Sequence, residues 1–175
     1  MTKRRVAVFT GNRSEYGLQY PVLRALEADP RVEPLVLVGG AHLDDDFGRT
    51  LTEIESDGFH AHRLIETRMT HDTLFSTAQA IGSAIVSLST VLDEIRPDFL
   101  VVYGDRYEAL AALITSTQMN IPTAHIEGGD YTEGGALDDS VRHAGLRPRP
   151  RAGVTGDHTA GTEACRHFHS PLRKL

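Results

Sequence analysis

The sequence predicts a doubly wound parallel α/β fold, and three observations carry that prediction. Its short apolar runs are continuous rather than alternating, as in strands buried on both faces. Those runs alternate along the chain with segments of helical apolar periodicity. Polar residues and glycines follow each run at once, which would gather them on one edge of the sheet, where ligands of open α/β sheets bind.

Taken in order, "RVAVFTG" (5–11) is a buried-strand run ended by glycine. "EYGLQYPVLRALEADP" (15–30) follows as a helix with Leu18, Val22, Leu23 and Leu26 on one face, and Pro21 is tolerable in a first turn. "VEPLVLVGG" (32–40) is a second strand and "FHAHRLI" (59–65) a weaker third. Over 73–96, Leu74, Ala78, Ile81, Ile85, Leu88, Leu92 and Ile95 recur at three- and four-residue steps until Pro97 stops the helix. "DFLVVYGD" (98–105) predicts a strand, "RYEALAALITSTQMN" (106–120) a helix and "IPTAHIEGG" (121–129) a fifth strand.

The chain has 175 residues and a formal net charge of −6. Gly145–Leu175 contains six Lys/Arg against two Asp/Glu, so residues 1–144 carry −10. An acidic body argues against nucleic-acid binding. No apolar run approaches the roughly 20 residues that cross a bilayer, and the N-terminal apolar run is too short for a signal peptide. A cytoplasmic location is expected, and the single Cys165 fits a reducing compartment.

Reading just past each strand gives the candidate site. After the first comes Gly11-Asn12-Arg13-Ser14-Glu15, which matches neither a dinucleotide nor a P-loop pattern. Gly11 permits the turn, and Ser14 is a candidate cap of the helix that follows. Arg13 faces a helix N-terminus and is a candidate phosphate ligand. After the second strand come Gly39, Gly40 and His42, then Asp44 to Asp46, read as a solvated turn cluster rather than a metal site. After the fourth come Asp105, either a helix cap or a reactive carboxylate, and Arg106. After the fifth, Glu127 precedes Gly128-Gly129 and makes a poor cap; screened from water, such a carboxyl would titrate high enough for acid/base work. His125 is read as a hydrogen-bonded core residue. Farther on, Asp139 and His143 share one helical face with Arg142 nearby, as a salt bridge or as part of a site. Cys165, His167 and His169 lie too close together to surround zinc tetrahedrally, so no metal is expected.

Together, "GNRSEYG", "GGAHLDDDFG", "RPDFLVVYGDRYEALA", "NIPTAHIEGGD" and "DDSVRHA" resemble, in this order and spacing, the hydrolysing UDP-N-acetylglucosamine 2-epimerases. Non-hydrolysing relatives carry Gly-Thr-Arg-Pro-Glu and Glu-Ala-Gly-Leu at the first and fourth of these places. The resemblance covers residues 5 to about 144. It implies a Rossmann-like domain over 1–144, the N-terminal half of a glycosyltransferase B-type two-domain fold with substrate in the cleft. The implied reaction eliminates UDP from UDP-N-acetylglucosamine through a glycal and hydrates it to N-acetylmannosamine, an entry to sialic acids. By motif match Asp105, Glu127 and Asp139 are the acid/base carboxylates. Gly11, Arg13, His42, Arg106, Arg142 and His143 would bind the UDP-sugar, and no cofactor is required.

Residues 145–175 depart from that pattern. "GLRPRPRAGV" has no apolar periodicity where the family continues into a sixth strand, and a basic, poorly ordered tail is expected. Arg/Pro/Gly-rich text of this kind is what GC-rich coding DNA yields out of frame, so a frameshifted or truncated product is expected, inactive alone. The alternatives are a non-enzymatic remnant, a subunit completed in trans by a second domain, or an epimerase acting on another UDP-N-acetylated sugar. A homo-oligomer is a further expectation from the family.

Overall fold

The computed structural model describes residues 2–67, 71 and 73–128. Over these, strand and helix alternate: β1 (Arg4–Thr10), α1 (Arg13–Ala28), β2 (Val32–Gly39), α2 (Leu51–Ser56), β3 (Ala61–Ile65), α3 (Leu74–Ile95), β4 (Phe99–Tyr103), α4 (Tyr107–Gln118) and β5 (Thr123–Ile126). Two short 3-10 turns, Gly40–Leu43 and Asp45–Phe47, join β2 to α2. The expected architecture holds: five strands, all parallel, in the order β3-β2-β1-β4-β5.

Successive strand residues point to opposite faces, and both faces are apolar, which is why the runs read as continuous. Ala7, Phe9, Leu35, Leu37, Leu100 and Val102 pack under α3 and α4 with Leu88, Leu92 and Ile95. Val6, Val8, Val36, Val38 and Val101 pack under α1 and α2 with Leu23, Ile54 and Phe59. Pro34 is tolerated inside β2 because β3 pairs only from Val36 onward, so the missing N–H falls beside a single neighbour.

Three local expectations are corrected. Leu18 is 59% exposed; the buried stripe of α1 is Glu15, Tyr16, Gln19 and Leu23. Pro21 lies inside α1, well past the first turn, on an exposed position. In α3 the leading residues Leu74 and Ala78 are exposed, and Ser76, Ala80 and Ala84 take the inner positions. Small side chains there let α3 lie close to the sheet and to α4. By length and composition α3 is also long and apolar enough to cross a bilayer, although no continuous apolar run of that length is present; here it packs as a core helix.

Candidate functional site

Because all strands run the same way, their carboxyl ends share one edge. The chain moves from β1 to β2 and β3 on one side, then crosses to β4 and β5 on the other. The connections after β1 and β4 therefore diverge and leave a crevice, the usual ligand position in open α/β sheets. Gly11 and Asn12 form one lip, and Gly104, Asp105 and Arg106 the other.

On the first lip the cap of α1 is Asn12, whose Oδ1 accepts the Glu15 N–H at 3.1 Å; Ser14, the expected cap, donates its hydroxyl to the same oxygen. On the second, α4 starts at Tyr107 with Arg106 in the N-cap position and no cap bond from that side chain, which places Asp105 one residue ahead of the cap. The Gly104 N–H donates to the Ile126 carbonyl at 3.0 Å. Asp105 and Glu127 each follow one member of that bonded pair, so the two carboxylates leave adjacent strand ends. His125 Nε2 lies 2.6 Å from the Gly104 carbonyl oxygen; a carbonyl only accepts, so Nε2 carries the proton. Partly buried, His125 is thus a clasp between β4 and β5. Glu127 itself is exposed, with a left-handed backbone at φ 61°.

Beneath the crevice lie two carboxyl groups that the motif reading passed over. Glu15 is 7% exposed and Glu108 0%. Glu15 Oε2 accepts the Gly11 N–H at 3.0 Å, while Oε1 is buried without a hydrogen-bond partner. Glu108 accepts from Arg106 Nε and Nη2, both at 3.2 Å, a forked pair. Burial pushes Glu15 up to about 7, against the Gly11 N–H, which favours the charged form; Glu108 adds to the rise. The glycines before α1 and α2 accommodate these groups. A methyl carbon on Gly11 would sit 3.1 Å from Glu108 Cβ, and one on Gly40 would sit 2.7 Å from Glu108 Oε1 and against the Gly11 carbonyl. Both carboxyls carried a sequence signal, since each is an acidic residue on an otherwise inward stripe. Glu15 leads Gln19 and Leu23, and Glu108 leads Ala111, Ala112 and Thr115.

His42, expected at the ligand, is placed behind the wall at 0% exposure. Its Nε2 meets Thr10 Oγ1 at 3.0 Å and its Nδ1 meets Thr50 Oγ1 at 2.7 Å. Thr10 Oγ1 also donates to the Asn12 carbonyl, so the polarity runs from Thr50 through a neutral imidazole to Thr10. Burial pulls His42 down to about 4, which keeps the ring neutral. The Asp44–Asp46 segment is a turn, with Asp44 Oδ1 accepting the Asp46 N–H.

Arg13 and Arg106 both line an open depression of about 1150 Å³ beside α1 and α2, together with Tyr16 and Ala41. Arg13 is largely exposed and pairs with Glu53 of α2 at 2.9 Å. Tyr16 donates to Asp57 at 2.8 Å, holding α1 to the end of α2. Such a surface can bind an anionic group through two guanidinium groups and present carboxylates beside it. Asp139, Arg142, His143 and the 145–175 segment lie outside the described residues.

Comparison with known proteins is consistent with this layout. The family model described as UDP-N-acetylglucosamine 2-epimerase matches residues 24–145. UDP-N,N'-diacetylbacillosamine 2-epimerase (hydrolyzing) of Legionella pneumophila is 36% identical over 141 residues, 81% of this chain and 37% of the relative. GDP/UDP-N,N'-diacetylbacillosamine 2-epimerase (hydrolyzing) of Campylobacter jejuni is 32% identical over 82% of this chain and 37% of its own length. The crystal structure of UDP-GlcNAc 2-epimerase from Neisseria meningitidis bound to UDP-GlcNAc superposes with a TM-score of 0.66 at 22% identity, over 80% of this chain and 37% of that one. That likeness shows the fold, the parallel Rossmann-like sheet of the glycosyltransferase B-type enzymes. The chain spans little more than a third of the length of these relatives.

Proposed function

The chain belongs to the UDP-N-acetylglucosamine 2-epimerase family, and from that premise we propose that it supplies the carboxylate-bearing wall of a hydrolysing 2-epimerase acting on a UDP-linked N-acetylated sugar. The observation that carries this reading is the placement of Asp105 and Glu127 just past the two bonded strand ends, with the half-exposed side chain of Arg106 next in sequence to Asp105. In the proposed reaction a carboxylate takes the C2 proton while the C1–O bond breaks and UDP leaves with the electron pair, giving a glycal. Water then adds, hydroxyl to C1 and a proton to C2 from the other face, giving N-acetylmannosamine from UDP-N-acetylglucosamine. Asp105, Glu127 and Asp139 are the proposed proton carriers, with the donor and acceptor steps divided among them. Arg106 and Arg13 offset charge on the departing diphosphate; Arg142 and His143 are proposed to bind from beyond the described segment.

A second reading concerns the sugar. The relatives at 36% and 32% identity are named for N,N'-diacetylbacillosamine rather than N-acetylglucosamine. The same elimination and hydration serve either substrate, since both carry a 2-acetamido group beside a C1 diphosphate. We propose further that the 175-residue chain alone turns over little, because the described residues build only one wall of an open site. Calorimetric titration with UDP tests the binding wall. Saturable binding that Arg106→Ala weakens at least tenfold supports the proposal, and a folded chain that binds no UDP refutes it. Measuring UDP release from each of the two UDP-sugars tests both remaining points: brisk release by the chain alone would refute its dependence on further structure, and the faster substrate identifies the sugar.

A further inference from the structure

Among the described residues, Glu15 is the buried carboxyl of the crevice with no salt-bridge partner. Glu108, beside it, is compensated by the forked contact with Arg106, whose side chain is 43% exposed and lines the depression. Glu15 reaches the same place from α1: Oε2 holds the Gly11 N–H, and the unpartnered Oε1 lies 3.8 Å from where a methyl carbon on Gly104 would sit. The two carboxyls thus bracket the switch point from its two lips, and Arg106 stands over both.

We propose that Glu15 is a positioning residue for the anionic end of the crevice ligand, acting through Gly11 and the Arg106–Glu108 pair: as the neutral acid it leaves Arg106 with one carboxylate partner, and as the anion it adds a second. The proposal rests on the functional reading above for the identity of that ligand, a diphosphate. With Glu15 neutral, Arg106 and Glu108 sum to zero and the guanidinium's exposed edge is open to an incoming oxygen. With Glu15 ionised the group carries a net −1, draws Arg106 inward and repels an anion. Binding of a diphosphate therefore favours the protonated form and takes up a proton, by the same linkage that makes any ligand-coupled ionisation reciprocal.

The titratable groups near Glu15 among the described residues come from α4, from the turn after β2 and from β5, where His125 bonds the Gly104 carbonyl. Packed around it are Glu108 and Arg106 of α4, with Tyr107 bonded to Glu108 and pushed upward by burial, out of the neutral range. Across Thr10 lies His42, pulled down by burial and locked between two threonine hydroxyls. Asp105 follows Gly104 at the crevice itself. Burial is what raises Glu15 into the neutral range.

The test is a pH titration of the full chain, followed by the Gly11 amide and Arg106 Nε resonances between about pH 5.5 and 8.5. The expected result is one common midpoint near 7 for both signals, absent from Glu15→Gln, which keeps the shape and hydrogen-bonding capacity of the neutral acid. Titration of Glu15 in the ordinary carboxylate range would overturn the proposal, as would a transition at Arg106 that survives in Glu15→Gln. In parallel, UDP affinity is expected to fall several-fold from pH 6 to 8.5 in the native chain relative to Glu15→Gln; the comparison cancels the titration of UDP itself. Equal pH profiles for the two proteins would overturn the proposal. If neither protein binds UDP at any pH, the functional reading fails, and the two resonances still decide whether Glu15 governs Arg106.

Discussion

Replacing Gly40 by alanine tests the packing of the site at one atom. Gly40 has φ +55°, where an L-residue pays about 1–2 kcal/mol for its side chain. The added methyl would stand 2.7 Å from Glu108 Oε1 and also against the Gly11 carbonyl, a backbone atom with little room to move. Overpacking of that kind costs about 1–3 kcal/mol. The two sum to about 2–5 kcal/mol, a large part of the roughly 5–15 kcal/mol that holds a domain folded. With a urea slope near 2 kcal/mol per molar, the midpoint falls by about 1–2.5 M. Two other glycines isolate the contributions. Gly48 has φ +79° with nothing within 4 Å, so Gly48→Ala carries the backbone cost alone, about 1–2 kcal/mol. Gly82 lies in α3 with open space around it, so Gly82→Ala stabilises by about 0.5–1 kcal/mol. Urea denaturation of all three orders them Gly82→Ala, Gly48→Ala, Gly40→Ala from most to least stable. A Gly40→Ala chain no less stable than Gly48→Ala would refute the claim that a buried carboxylate makes residue 40 glycine.

Two further outcomes are expected. Glu15 titrates near 7 when folded and near 4.5 when unfolded, so its contribution is present below pH 4.5 and lost as pH rises toward 7. His42 runs the other way, near 4 folded against 6.5 unfolded, so its contribution is present above pH 6.5 and lost as pH falls toward 4. Between pH 4.5 and 6.5 the two slopes oppose. Glu15→Gln removes one of them, and its stability relative to the native chain should rise with pH by up to about 1.4 kcal/mol per unit; parallel stability curves from chemical denaturation would contradict this. Asn12→Ala removes the α1 cap and should cost about 1 kcal/mol, read as an earlier thermal midpoint than that of Ser14→Ala, whose hydroxyl caps no backbone group.

The parallel sheet and its two apolar faces were legible because buried parallel strands leave a text of continuous apolar runs such as Leu35–Val38; the strand order β3-β2-β1-β4-β5 was not, since the runs alone do not say which strands are neighbours. Helix faces were less legible. Periodicity weights large apolar side chains, so it drew in Leu18 and Leu74, which are exposed, and passed over Ala80 and Ala84, whose smallness is what the close approach of α3 requires. That the residues after β1, β2, β4 and β5 gather on one edge was legible, since a parallel sheet alone brings its strand ends together. The buried layer of the site was not, because acidic residues are read as solvated by default. Glu15 and Glu108 become visible only when their place on an inward stripe is weighed against that default. The surroundings of His42 were not legible either: a polar residue after a strand reads as ligand-facing, and nothing in the run of residues says that two threonines, 32 residues before it and 8 after it, bond both ring nitrogens.

The left-handed backbone of Glu127 bears on how this chain would respond to selection in the laboratory. Glycine relieves the roughly 1 kcal/mol that a branched α-carbon costs in that conformation, and an exposed carboxylate at 127 offers no packing in return. A screen that rewards heat tolerance alone should therefore enrich glycine or asparagine at residue 127 and drain the charge from the strand end. A screen that also demands ligand binding should hold glutamate there. Sequencing the survivors of the two screens side by side would separate what the fold wants at this position from what the crevice wants.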